Sequence, residues 1–237
     1  NLMKHTRTLH IVCLMLLPLL GSAQTTFQVV SKTVEQELPY SPGYEVNIEG
    51  ERAEIIVDSW EKQSVKVVIE IISKHPDKAI AERDVEAVKF SIDQHGQQMY
   101  FRNYISPDEN APQPESQLKT IYTVFLPADC PVYLKNYFGE ASVSNLERML
   151  RLQSEFTRIF LKNLHGDMEV DSRFGDIDAD GLSGHVSITT HRSDVTLMNL
   201  SGDFDITSKF GLIKVFTDQS LVNMNIDAER SDVYFFD

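Results

Sequence analysis

Basic residues are scarce in this chain. Lysine and arginine total 22 against 35 aspartates and glutamates in 237 residues, a formal charge of −13. Without a basic excess to neutralise phosphates, nucleic-acid binding and docking on anionic membranes are excluded as main functions. Cysteine is limited to Cys13 and Cys130, which rules out a disulfide-stapled scaffold. The one strongly apolar run, Ile11 to Leu20, has ten residues, whereas a membrane-spanning helix needs roughly 20. No phosphate loop, nucleophile elbow or paired-cysteine metal motif occurs. Nine prolines and eleven glycines are too few for a collagen-like or low-complexity chain, and 42% apolar residues suffice for a core.

The first segment reads as an export signal. Lys4, His5 and Arg7 precede the apolar run, and Gly21-Ser22-Ala23 supplies small residues before a cut after Ala23. Val12 precedes Cys13, so the small residue that lipid attachment there would need is missing. Cleavage removes Lys4, Arg7 and Cys13 and no acid, leaving 20 basic against 35 acidic residues, a charge of −15. Cys130 is then the single thiol, and no intramolecular disulfide can form.

A nine-residue beat occupies the second half. Its frames start at Cys130, Gly139, Arg148, Thr157, Gly166, Gly175, Gly184, Ser193, Gly202 and Gly211. Two and four positions after every start stands an apolar residue, as in Ile177 and Ala179 or Val195 and Leu197. Polar residues such as Asp178, Thr196 and Lys214 stand between them. Such period-two alternation over about five residues, closed by turn residues, is a half-buried strand.

Alternate frames differ, so the true unit is 18 residues. Asn145-Leu146, Asn163-Leu164, Gly181-Leu182 and Asn199-Leu200 mark one corner. Ser154-x-Phe156, Ser172-x-Phe174 and Ser208-x-Phe210 mark the other, with Thr190-x-Arg192 as the exception. Asn and Gly suit positive φ, and the neighbouring Leu or Phe is expected to plug the end of the core. A coil of two short strands cannot bury its own apolar face, but stacked coils can. The expected fold is all-β: a flattened β-solenoid from about Pro131 to the end, with Ala141, Ile159, Ile177, Val195, Ile213 and Val233 in one inward column. Leu150, Met168, Val186, Phe204 and Met224 should face them. Two extra residues after Gly211 belong at a corner.

Residues 24–130 are β-rich without a clean repeat. Tyr44 to Val57 and Val65 to Ile71 alternate, and Lys78 to about Ala87 suits a short inserted helix after Pro76-Asp77. Val88 to Ile92 and Met99 to Ile105 read as a hairpin around Asp93-Gln94-His95-Gly96. Ser106 to Gln117, with three prolines, reads as a loop before a strand over Ile121 to Leu126. These strands would begin the solenoid or cap its N-terminal end. Three segments result: a signal peptide over 1–23, this region over 24–130 and the repeats over 131–237.

Few residues invite chemistry. Asp176, Asp178 and Asp180 before Gly181 imitate the start of a calcium loop, but Ser187 stands where the bidentate Glu belongs. The repeat explains Asp176 and Asp178 as outward strand positions. Stacking would align Arg158, Asp176 and Asp194 in one outward column, a solvated ladder more than a carboxylate pair for glycoside hydrolysis. His165, His185 and His191 share no column. Trp60 reads as a corner plug, Cys130 as a turn residue or a small buried one, and Tyr122, Tyr133 and Tyr137 as an ordinary β-face. No catalytic residue, cofactor site or firm metal site is expected.

The repeat motifs resemble a known family. Phe174-Gly175-Asp176-Ile177, Asn163-Leu164-His165-Gly166-Asp167-Met168 and Asn199-Leu200-Ser201-Gly202-Asp203-Phe204 are similar to the units of the "putative-adhesin" domain family, exported bacterial β-solenoids of unknown function. Val57-Asp58-Ser59-Trp60 and Val65-Lys66-Val67 resemble its N-terminal part. The resemblance implies a non-enzymatic, adhesin-like binding or scaffolding protein with no catalytic residues to carry over. An envelope-associated periplasmic accessory protein and, third, a polysaccharide-active β-helix enzyme are the alternatives. The partner would be an envelope, matrix or protein component, and the location periplasmic or cell-surface. Mass spectrometry of the exported protein should find Gln24 at the N-terminus; retention of residues 1–23 would reject the signal.

Overall fold

The computed structural model describes residues 26–236, so the signal segment, with Lys4, Arg7 and Cys13, lies outside the described residues. About 71% is strand, arranged as a β-solenoid of about 6 turns with coils of about 18 residues and one short helix.

The alternating pattern becomes strand wherever the nine-residue beat runs. β7 (Val132–Ser144) pairs in parallel with β8 (Met149–Arg173), and β8 with β9 (Ile177–His191). On one face the stack continues through β10 (Val195–Met198), β12 (Leu212–Phe216) and β14 (Asp232–Phe236). On the other it continues through β11 (Ser201–Lys209) and β13 (Val222–Glu229). The register is the one the repeat predicts. Ala141 lies over Ile159, Ile159 over Ile177, Ile177 over Val195, Val195 over Ile213 and Ile213 over Val233. Facing them, Met168, Val186, Phe204 and Met224 stack in the same way. The inward residues are buried except in the last coil, where Val233 and Met224 are half-buried. The two extra residues form a 3-10 turn at Gln219–Leu221, on the corner, capped by the Asp218 carboxylate.

The parallel stack begins well before Pro131. β2 (Glu45–Ser59) runs along both faces of β7, placing Val46 over Val132 and Ile55 over Ala141. The rung beyond it is assembled from two separated segments. β5 (Gln98–Ile105) covers one half of β2, and β6 (Gln117–Leu126) covers the other. Because that rung is split by a hairpin and a loop, no 18-residue spacing marks it in the sequence. Antiparallel strands then close this end: β4 (Val88–His95) on β5, β3 (Ser64–His75) on β6 and β1 (Gln28–Pro39) on β3. Helix α1 (Lys78–Val85) follows β3, with Asp77 as its N-cap through Ala79 N. Asp84 at its end is buried and accepts the backbone N–H groups of Glu115 and Ser116. Burial alone would raise this carboxyl; donors from Ser116, Arg83 and Glu115 outweigh it and hold the group below its usual range.

Two corner expectations need correction. Leu146, Leu164, Leu182 and Leu200 plug the core as expected, each nearly fully buried. The phenylalanines do not: Phe138, Phe156 and Phe174 are about 40% exposed. A residue in the left-handed region directs its side chain away from the inward row that its neighbours follow, and all three have φ between 51° and 60°. Trp60 is likewise no solenoid plug. It sits at the turn between β2 and β3, donates Nε1–H to the Ser64 carbonyl and stacks on Phe125.

The strand phase is testable. Ile177→Asp buries an unpaired carboxylate and should lower stability by about 3–5 kcal/mol. Asp178 faces outward in an exposed ion pair with Arg158, so Asp178→Asn should stay within about 0.5 kcal/mol. Urea unfolding of the two variants compares them directly, and equal effects would refute the phase.

Candidate interaction surfaces

The regular coils turn at both corners through a residue with positive φ. One corner uses Asn145, Asn163, Gly181 and Asn199, and the other uses Arg52, Phe138, Phe156, Phe174, Arg192, Phe210 and Arg230. Asparagine in this region is ordinary, but phenylalanine and arginine are not, and each such residue costs of order 1–2 kcal/mol. Stacking repays it. Asn163 donates to the Asn145 side chain, Asn145 to Asp58 and Asn199 to Asp180. On the opposite corner Phe138, Phe156 and Phe174 form a ladder with centroids 4.7 and 4.9 Å apart and planes within 10°. That spacing is the strand-to-strand distance, so the ladder follows from in-register parallel pairing.

Arg192 breaks this ladder and is accommodated in it. Its guanidinium lies 6.0 Å from the Phe174 ring and 5.5 Å from Phe210, and Arg230 covers Phe210 from the next coil at 5.3 Å. His191 meets both Phe174 and Phe210 edge-on. The exposed corner is thus a continuous aromatic and guanidinium ridge. The phenylalanine faces within the stack are covered by one another, which leaves ring edges along the ridge and the outer face of the terminal ring, Phe138.

The neighbouring backbone alternates. Gly175 sits where a Cβ would come within 1.9 Å of the Thr157 carbonyl, and Gly211 within 2.2 Å of that of Ser193. Each glycine donates its N–H to the hydroxyl of the following coil, Ser193 for Gly175 and Ser231 for Gly211, both at 3.1 Å. The frames starting with Thr157 and Ser193 are therefore the partners of the glycine frames.

The outward carboxylates are engaged along the stack. Asp176 accepts the Asp194 N–H at 2.9 Å, and Asp194 accepts the Leu212 N–H at 3.0 Å. Both act as caps from one coil to the next. Asp178 binds Arg158 across the coils, and Asp180 accepts from Asn199. Asp176, Asp178 and Asp180 therefore line up along one strand face with separate partners and do not converge on one point. Arg158, Asp176 and Asp194 do share a column, though Arg158 reaches diagonally to Asp178. His165 pairs with Ser183, His185 with Asp203 at 3.2 Å, and His191 with the ring ladder. Among the described residues, no group of three or more His, Cys, Asp or Glu is placed to hold a metal ion.

On the second face the columns enclose a shallow groove of about 340 Å³, bounded by Met149, Asp167, Glu169, His185, Asp203 and Asp205. Arg151 is its basic member and pairs with Glu169 at 2.9 Å. Sequence periodicity places these residues outward but does not show the groove between them. Tyr133 and Tyr137 also stand outward, whereas Tyr122 is buried and donates to Asn103 at 3.1 Å.

No family model matches the chain, and no curated protein matches it. Several solved structures are similar, including the following two. One is a "putative cell adhesion protein" from Clostridium sporogenes, 9% identical, covering 87% of this chain and 99% of that chain with a TM-score of 0.44. The other is a "putative lipid binding protein" from Parabacteroides distasonis, 10% identical, covering 87% and 97% with a TM-score of 0.31. No helix among the described residues is long and apolar enough to cross a membrane.

Cys130 is fully buried beside Tyr44 and Pro131. Burial, then the charges of Asp129 and Glu45, push its thiol up to about 12. In a chain spanning residues 24–237 it should resist a disulfide reagent at pH 8 while folded and react fully in denaturant. Rapid reaction of the native protein would contradict the packing.

Proposed function

We propose that this is an exported, non-enzymatic binding or scaffolding protein of adhesin-like type, acting through the outward faces of its solenoid. What supports the reading most is the use made of the outward carboxylates. Asp176, Asp178, Asp180 and Asp194 spend their hydrogen bonds on neighbouring coils. A catalytic acid or base needs a group free to exchange its proton with a substrate. The repeat motifs and the basic, apolar, small-residue order of residues 4–23 support export and an adhesin-like role in the same way.

The faces are strongly acidic. From Gly139 onward nine basic residues stand against seventeen acidic ones. Such a surface suits a basic partner, or divalent cations bridging to another acidic surface, with affinity falling as salt rises. The mature protein should bind an envelope or matrix fraction saturably and release no product from a glycan panel. Reducing sugar or unsaturated oligosaccharide that accumulates, and is lost in Asp176→Asn/Asp194→Asn, would overturn the reading in favour of a polysaccharide-active enzyme.

A further inference from the structure

The N-terminal end of the stack carries a second, chemically different feature. Where β1, β3 and β6 meet the first corner of β2 and β7, a groove of about 960 Å³ opens. Its lining is apolar where the strands cross: Val29 from β1, Ile72 from β3, Leu118 from β6 and Phe138 from the corner of β7. Phe138 is the terminal ring of the aromatic ladder. One of its faces is covered by Phe156, and the other is left to the groove. Val29 is 57% exposed, an unusual fraction for a valine inside a strand.

Three basic and two acidic side chains give this groove one net positive charge, where the molecule as a whole is acidic. Arg52, Lys74 and Lys119 line it together with Glu54 and Glu140. Lys119 is neutralised by Glu54. Arg52 and Lys74 have no carboxylate partner among the described residues, and Glu140 is the one unpaired acid. The lining is thus net positive in a protein whose formal charge is −13. Arg52 holds its place with φ of 51°, in line with Phe138 over the same corner.

An apolar trough of this size, with two unpaired cations against the single unpaired carboxylate of Glu140, fits an amphiphile with an anionic head. We infer that the groove binds a single alkyl chain with an anionic head, the chain lying along Val29, Ile72, Leu118 and Phe138 and the head held by Arg52 and Lys74. Carboxylate and phosphate heads share the required chemistry. The site is separate from the outward faces to which the proposed function assigns partner binding, so either can fail alone.

The test is calorimetric titration of the protein, below the critical micelle concentration, with oleate, with lysophosphatidic acid and with neutral glycerol monooleate. Saturable one-to-one binding of at least one anionic amphiphile, tighter than that of the monooleate, is expected, and the preferred one identifies the head. Arg52→Asn/Lys74→Gln, in which asparagine keeps the left-handed corner, should weaken the anionic ligand at least about tenfold and leave the monooleate unchanged. Val29→Asp, on an exposed edge strand, should weaken all of them, with circular dichroism confirming the fold. Absence of saturable binding, equal affinity for neutral and anionic amphiphiles, or binding indifferent to both variants would overturn the inference.

Discussion

The whole molecule hangs on parallel pairing in strict register between successive coils. A shift of one residue would exchange the inward and outward rows on every rung at once. The register is held at the corners, where Asn145, Asn163 and Asn199 on one side and Phe138, Phe156, Phe174 and Phe210 on the other adopt positive φ. The phenylalanine and arginine conformations are unfavourable in an isolated coil, and neighbours stabilise both corners: amide to amide, ring to ring, guanidinium to ring. Coil formation and coil stacking are therefore one event, and the corner side chains are what couple them.

Register also determines what the surface can be. Because each outward position repeats a strand spacing away, polar side chains meet their counterparts on adjoining coils and form ladders. Asp176 and Asp194 become caps for backbone N–H groups, and Asp205 accepts from Asn225. A ladder is flat and self-satisfied, and it offers a partner many weak contacts in place of one deep pocket. The N-terminal end escapes this rule because antiparallel strands leave the coil path there, and their divergence opens the apolar groove beside Phe138.

The inward columns were legible in the sequence because burial imposes a periodicity that survives substitution: Ile177 and Val195 differ in type but not in phase. The corners were legible only in part. Asparagine and glycine signal positive φ through their own chemistry, but phenylalanine does not, and its repetition every 18 residues suited a core plug equally well. Whether a side chain at that spacing turns inward depends on a backbone dihedral angle that composition does not encode. Arg192 stood out as an exception, yet its fit depends on cation–π contact with Phe174 and Phe210 in two different coils. That strands before Pro131 begin the stack was one of two arrangements the sequence allowed, and the choice could not be made there because the rung beyond β2 comes from β5 and β6, with a loop between them. Of the outward candidates, the column of Arg158, Asp176 and Asp194 could be placed, while the partner of each carboxylate and the grooves could not, since both depend on which atoms of different coils meet.

The alternation of glycine and hydroxyl residues at the phenylalanine corner restricts how such a chain can change length. Glycine at 175 and 211 nests against the carbonyls of Thr157 and Ser193 and binds the hydroxyl that follows. Losing one coil, residues 175–192, would set Ser193 directly on Thr157, with a Cβ where only a hydrogen fits. Losing two, residues 175–210, would set Gly211 on Thr157 and restore the sequence of partners. At this corner the glycine and hydroxyl partners are therefore kept in sequence by removing a pair of coils and lost by removing one.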